Sequence, residues 1–169
     1  MGKNIDAGIG KVMGLFEEFR KYDFGIDDDR TFLEISKYPH YENVCSNIME
    51  FFLDSHEKHK LKDLFLRSLM EAGGFDYVGS FNTQNIEREY VTTKNKRIDI
   101  FVESQEFTLT VENKIHSGVD NDLMHYEDFV KAKHEKENFF MVLALKKVET
   151  NSSFISVTYR DFFDKLKVN

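Results

Sequence analysis

Apolar residues recur along this chain at two different periods, and the change between them divides it. In the first part the spacing is helical. Val12, Leu15, Phe16 and Phe19 predict a helix from about Ile9 to Tyr22, broken by Gly25 and the acidic run Asp27-Asp28-Asp29. That run lacks the alternating ligands and closing glutamate of an EF-hand loop and reads as a solvated loop. Pro39 marks a turn. A second helix is predicted from about Tyr41 to Leu53, with Val44, Ile48, Phe51 and Phe52 as its apolar stripe. A third runs from about Leu61 to Ala72, with Leu64, Phe65 and Leu69 inward, and Gly73-Gly74 is its natural stop.

The period then shortens to two, as it does in strands. Ile86 to Thr92, Arg97 to Glu103 and Phe107 to Ile115 read as strands. Helical spacing returns from Asp120 to Lys133, with Leu123, Tyr126, Phe129 and Val130 on one face. The continuous apolar run from Phe139 to Leu145 has the character of a buried central strand. Phe154 to Thr158 is a short strand, and Tyr159 to Leu166 a last helix. This order predicts an α/β fold, a mixed sheet with helices on both faces.

Two of these strands carry candidate chemistry. In Arg97 to Val102, alternation puts Ile98, Ile100 and Val102 on one face and Asp99 and Phe101 on the other. In Phe107 to Ile115, it separates Phe107, Leu109, Val111 and Ile115 from Thr108, Thr110, Glu112 and Lys114. A hairpin turning at Gln105-Glu106 sets Ile100 opposite Val111 and Val102 opposite Leu109, and in that register Asp99 faces Glu112. A slip of one residue would expose the apolar set, so the pattern supports this parity. Directly opposed carboxylates destabilise a sheet, and a bound divalent cation such as Mg²⁺, which takes carboxylate oxygens, would account for them. Lys114 shares their face and could orient a water or offset charge on a phosphate, the remaining parts of metal-assisted phosphodiester cleavage. A solvated acidic face is the competing reading of the same three residues.

Composition sets bounds on this reading. With 169 residues, 41% hydrophobic and 31% charged, the chain has the size and make-up of one globular domain. Lys and Arg number 23 against 30 Asp and Glu, a net charge of −7. That argues against coating nucleic acid non-specifically but not against gripping it along a local basic strip. The single cysteine, Cys45, rules out an internal disulfide and fits a small core residue. With no signal-peptide pattern at Met1-Gly2-Lys3-Asn4-Ile5-Asp6, and no run near the roughly 20 apolar residues of a membrane span, the expectation is a cytoplasmic protein without a membrane partner.

The stretch Arg97-Ile98-Asp99-Ile100, followed by Glu112-Asn113-Lys114, resembles the D-x(n)-E-x-K signature of the PD-(D/E)XK nuclease superfamily, with Ile98 where the family usually has proline. Tyr41-Glu42-Asn43-Val44-Cys45-Ser46-Asn47-Ile48, then Phe51-Phe52-Leu53-Asp54, is similar to the N-terminal helix of a large bacterial branch, in which a helix glutamate completes the metal site; Glu42 matches it. Asn121-Asp122-Leu123-Met124-His125-Tyr126 resembles that branch's Q-L-x-x-Y helix, but Asp122 stands at the glutamine position, where an acid would repel a phosphate.

The resemblance spans roughly Thr31 to Leu166 and implies a single domain: a helical extension over 1–30 and a core over 31–166. The implied fold is restriction-endonuclease-like, a central mixed sheet of about four strands flanked by helices. It further implies a nuclease hydrolysing phosphodiester bonds of DNA with Mg²⁺, or Mn²⁺ as substitute, in defence or repair. Its catalytic residues would be Glu42, Asp99, Glu112 and Lys114, with Asp99, Glu112 and Glu42 on the metal. Lys94, Lys96, Arg97, Asp122 and His116 are candidates for touching nucleic acid, and Arg88, Lys146 and Lys147 could join the basic cluster. A homodimer is compatible with this reading. The alternative is a catalytically weak or inactive nucleic-acid-binding or protein-interaction module on the same fold.

Overall fold

The computed structural model describes residues 41–115, 122–150 and 152–169, all within the unit Pro39–Asn169. The predicted first helix, the acidic loop at Asp27-Asp28-Asp29, the Pro39 turn and His116 lie outside the described residues. In chain order the elements are α1 (Tyr41–Leu53), α2 (Leu64–Ala72), β1 (Thr83–Val91), β2 (Arg97–Ser104), β3 (Phe107–Lys114), α3 (Leu123–Lys133), β4 (Glu137–Ala144), β5 (Ile155–Thr158) and α4 (Tyr159–Val168). The second glycine after α2, Gly74, has φ 67°, a left-handed conformation that costs glycine nothing.

The strands form one mixed sheet in the order β1-β2-β3-β4-β5, with five strands where the resemblance implied about four. The short β5 adds the extra edge. The first three strands form an antiparallel meander, and β4 and β5 join it in parallel. The parallel step from β3 to β4 contains α3, as a crossover between parallel neighbours requires. The hairpin has the predicted register: Ile100 pairs with Val111 and Val102 with Leu109. Gln-Glu is a poor hairpin turn by itself, and the Ser104 hydroxyl supports it by accepting from the Glu106 and Phe107 amides at 3.2 and 3.0 Å.

Each face of the sheet has its own core. On one, Ile100, Val102, Leu109, Val111, Met141 and Leu143 pack with Met49 and Leu53 of α1, Leu66, Leu69 and Met70 of α2, and Phe162 of α4. On the other, Phe101, Phe140 and Val142 pack with Leu123, Tyr126 and Val130 of α3. In β3, every residue from Phe107 to Asn113 is therefore buried, including the polar row Thr108, Thr110 and Glu112.

Three predicted orientations change. In α1 the buried positions are Ser46, Met49 and Leu53, while Ile48 and Phe51 of the predicted stripe are 49% and 41% exposed. Apolar residues lie on several sides of this helix, and a polar contact from Ser46 to the sheet sets its rotation. In α2, Leu66 and Met70 join Leu69 in the core, while Phe65 is only partly buried and stacks on Phe52 at 4.6 Å. In the β1–β2 ribbon, Ile86 and Ile100 belong to the first core, but Tyr90 and Ile98, of the same parity, belong to the second. The reversal coincides with Glu89, which has φ 54° between the pairs Arg88–Ile100 and Tyr90–Ile98. A left-handed residue inside a strand breaks its alternation.

The doubly covered β3 yields a pair of stability expectations. Leu109→Ala should lower unfolding free energy by about 3 kcal/mol through the cavity it leaves. The buried Thr110 hydroxyl has no hydrogen-bond partner among the described residues, so Thr110→Val should raise stability by about 1 kcal/mol. Urea unfolding of both variants tests this, and a destabilised Thr110→Val would mean that the hydroxyl is satisfied in solution.

Candidate active site

The β2–β3 ladder closes at Ile100–Val111. One step further, Asp99 turns its carboxylate along the edge of β3, where Oδ2 accepts the Asn113 amide at 2.8 Å. Its side chain also lies within hydrogen-bonding reach of Glu112. The Glu112 side chain is fully buried. Burial, and then the Asp99 charge, push its carboxyl up to about 8, against the pull of Lys114. Asp99 is also raised, by burial first; the Asn113 amide and Lys114 oppose the shift and Glu89 adds to it. Two like charges this close, one of them fully buried, do not both ionise readily, and without a metal the pair favours holding a proton.

Lys114 Nζ lies 2.8 Å from Glu112 Oε1 and 4.0 Å from Glu42 Oε2, with its side chain 10% exposed. Burial favours the neutral amine, but Glu112, Asp99 and Glu42 together outweigh it and raise its pKa, so it is a cation at neutral pH. Glu42 stands in the first turn of α1, where the helix dipole favours an acid, and its Oε1 accepts the Ile115 amide at 3.0 Å. Asp99, Glu112 and Lys114 thus form one contact cluster, and Glu42 lies beside it, 4.0 Å from Lys114.

Among the described residues, no group of three or more His, Cys, Asp or Glu side chains converges as a ready-made metal cage. The Asp99–Glu112 pair nevertheless fits a divalent cation by its donor chemistry. It offers hard carboxylate oxygens, held side by side at a cost in proton affinity that a cation would relieve.

The basic turn beside the pair is anchored to the start of α3. The Thr92 amide donates to Lys96 O at 2.8 Å, Thr92 Oγ1 and His125 Nε2 are 2.9 Å apart, and the Tyr126 hydroxyl donates to Arg97 O at 2.8 Å. Lys94 is exposed. Lys96 Nζ lies 3.8 Å from Asp122, and Arg97 pairs with Glu89 at 2.8 Å. Asp122 is the N-cap of α3, accepting the His125 amide at 3.2 Å. Arg88 is held by Asn47 and Asn43 of α1. The charge of Lys147 acts on Asp161 of α4.

Sequence reasoning missed Glu89, whose charge reaches Asp99, because no motif or period marks it. It also missed Asn113, Ser46 and Tyr159, which bond to one another at the α1 face of β3. The one available signal was a polar Asn113 continuing the apolar row Phe107, Leu109, Val111.

Comparison with known proteins adds a family. The model of the PD-(D/E)XK nuclease superfamily matches residues 31–161. Among solved structures, the chain is similar to the small subunit (R.BspD6I2) of the heterodimeric restriction endonuclease R.BspD6I. The identity is 16% over 72% of this chain and 76% of that one, with a TM-score of 0.37. No curated protein matches the chain significantly.

The acid pair should leave a pH signature in metal-free protein. Glu112 is raised from 4.5 to about 8, so the folded state binds the extra proton. Its stabilising contribution is complete below about 4.5 and is lost as pH rises through about 8. In chelator, the urea midpoint should fall across that window, and Glu112→Gln should flatten the fall. Equal slopes in both proteins would show that the pair does not hold the proton. A cation bound at the pair would displace this proton, so any Mg²⁺ affinity should tighten over the same range.

Proposed function

We propose that this chain, which belongs to the PD-(D/E)XK nuclease superfamily, is a Mg²⁺-dependent nuclease that hydrolyses phosphodiester bonds of DNA. The observation that carries the reading is half-buried Asp99 beside fully buried Glu112, with Lys114 2.8 Å from Glu112. A fold rarely keeps two carboxylates and an ammonium in a dry corner for stability, because desolvation offsets most of what their attraction returns.

In this reading Asp99 and Glu112 would hold the cation, and Glu42 would complete its shell. When bound, Mg²⁺ would supply Lewis acidity toward a phosphate oxygen and a lowered pKa for water. The protein's own groups do the rest. Lys114, kept protonated by its acidic neighbours, is a poor base. It suits donation to a non-bridging phosphate oxygen, offsetting charge as water attacks phosphorus and the bond to the leaving oxygen breaks. Asn113 N–H fixes one oxygen of Asp99, and Ile115 N–H fixes one of Glu42, so neither carboxylate swings freely.

The basic turn is the natural track for the backbone of the polymer. Phosphate contacts position a nucleic acid without reading its sequence. Lys94 is an exposed cation there, while Lys96 lies 3.8 Å from Asp122 and Arg97 is paired more closely with Glu89. Among the described residues no helix is long and apolar enough to cross a membrane.

Calorimetric titration of Mg²⁺ and Mn²⁺, run beside cleavage of DNA and RNA substrates, tests the proposal. Asp99→Ala should abolish metal binding and cleavage together. Lys114→Ala should keep metal binding while cleavage falls by at least about a hundredfold, as expected for a lost electrostatic donor. Metal binding without cleavage of either polymer would favour the inactive module, and neither binding nor cleavage in folded protein would remove the enzyme reading.

A further inference from the structure

A strand of period two sends the middle residue of Glu112-Asn113-Lys114 to the opposite face from its neighbours. Glu112 and Lys114 look toward the acid pair. Asn113 looks toward α1, at the end of the apolar row formed by Phe107, Leu109 and Val111, and it is 0% exposed. A buried amide is costly unless its donors and acceptor are met, and here they are. Nδ2 donates to Glu42 O at 3.0 Å and to Ser46 Oγ at 2.9 Å, and Oδ1 accepts the Tyr159 hydroxyl at 2.7 Å. The backbone amide of the same residue holds Asp99 Oδ2.

We infer that Asn113 is a positioning residue: it ties α1 and α4 to β3 so that Glu42 is delivered to the Lys114 side of the site. Its side chain reaches the main chain of Glu42 itself and the side chain one turn along, which fixes both the rotation and the depth of α1. That accounts for the seating of α1 on Ser46, Met49 and Leu53, although Ile48 and Phe51 offer more apolar surface. From the other side, Tyr159 is the first residue of α4 and follows a capping box. In that box Thr158 Oγ1 accepts the Asp161 amide at 3.1 Å, and Asp161 Oδ2 accepts the Thr158 amide at 3.2 Å. A helix start fixed in this way presents the tyrosine hydroxyl at a defined place. Seating of the C-terminal helix is thereby linked, through one amide, to the glutamate of the first described helix. The consequence for metal binding rests on the function proposed above; the positioning of Glu42 does not.

Two measurements separate those parts. The first uses no metal. The Ile115 amide reports the placement of Glu42 through its 3.0 Å bond to Oε1. By NMR hydrogen exchange, Asn113→Ala should reduce its protection about tenfold, and the milder Tyr159→Phe several-fold, while the Leu109 amide in the core keeps its protection. Protection at Ile115 that is unchanged, or that falls only in step with Leu109, would overturn the inference. If Asn113→Ala does not fold, Tyr159→Phe alone decides.

The second is a double-mutant cycle on Mn²⁺ affinity. Asn113→Ala should weaken binding roughly tenfold, the usual scale for a supporting group behind a ligand. In the Glu42→Ala background it should weaken binding no further, because its effect runs through Glu42. Additive losses would mark Asn113 as merely structural and overturn the coupling. A wild type that binds no Mn²⁺ would defeat the metal-site reading, while Ile115 exchange would still decide whether Asn113 sets Glu42.

Discussion

Holding Asp99 beside the fully buried Glu112 is the constraint on which the rest of this structure turns. Two carboxylates in contact repel, and burial magnifies the repulsion. They stay together because neither is on a mobile support. Glu112 sits in a strand covered on both faces, and Asp99 is braced by the amide of Asn113. Lys114 then returns part of the charge at 2.8 Å. An arrangement of this kind stores proton affinity rather than stability, and that stored affinity is what a divalent cation can use. A surface hairpin with the same residues would let the acids turn into solvent and separate.

The division of labour within β3 follows from the same constraint. The period of the strand puts the charged pair Glu112 and Lys114 under α3 and the amide Asn113 under α1. A site that needs a group from α1 must therefore draw it around the end of the strand. Glu42 does this from the first turn of its helix, meeting Ile115 N–H just past Lys114. The polar contacts of Asn113 and the acidic contacts of Glu42 hold the same helix end at two points, one buried in the first core and one at the rim of the site.

Some of this was legible in the chain and some was not, for identifiable reasons. The hairpin register was legible because alternating apolar residues on two strands leave one parity that buries them, and Ile100–Val111 follows. The burial of Phe139 to Ala144 was legible for the converse reason, since an unbroken apolar run needs cover on both sides. The rotation of α1 was not: Val44, Ile48, Phe51 and Phe52 make a credible stripe, and the actual face is chosen by a serine whose partner is remote in sequence. The reversal at Glu89 was hidden because a left-handed φ on a glutamate has no local signal, unlike one on glycine. Asp122 was read by its place in a motif, and its cap on α3 depends on where that helix starts.

The location of the cluster also has an electrostatic logic. β3 ends at Lys114, β2 begins at Arg97, and two helices, α1 and α3, begin at the same end of this strand pair. A helix start carries partial positive charge from its unpaired amides. Glu42 occupies the first turn of α1 and Asp122 the cap of α3, so each helix start already meets an acid. The partial positive charge of each start is thus met locally, and the cation beside the acid pair is Lys114, 2.8 Å from Glu112. A phosphate approaching this end of the sheet would meet the Lys94–Lys96 turn, which α3 holds in place through Thr92 and Arg97. The net charge of −7 is a sum over the chain, and an anionic substrate would respond first to the local field where it docks.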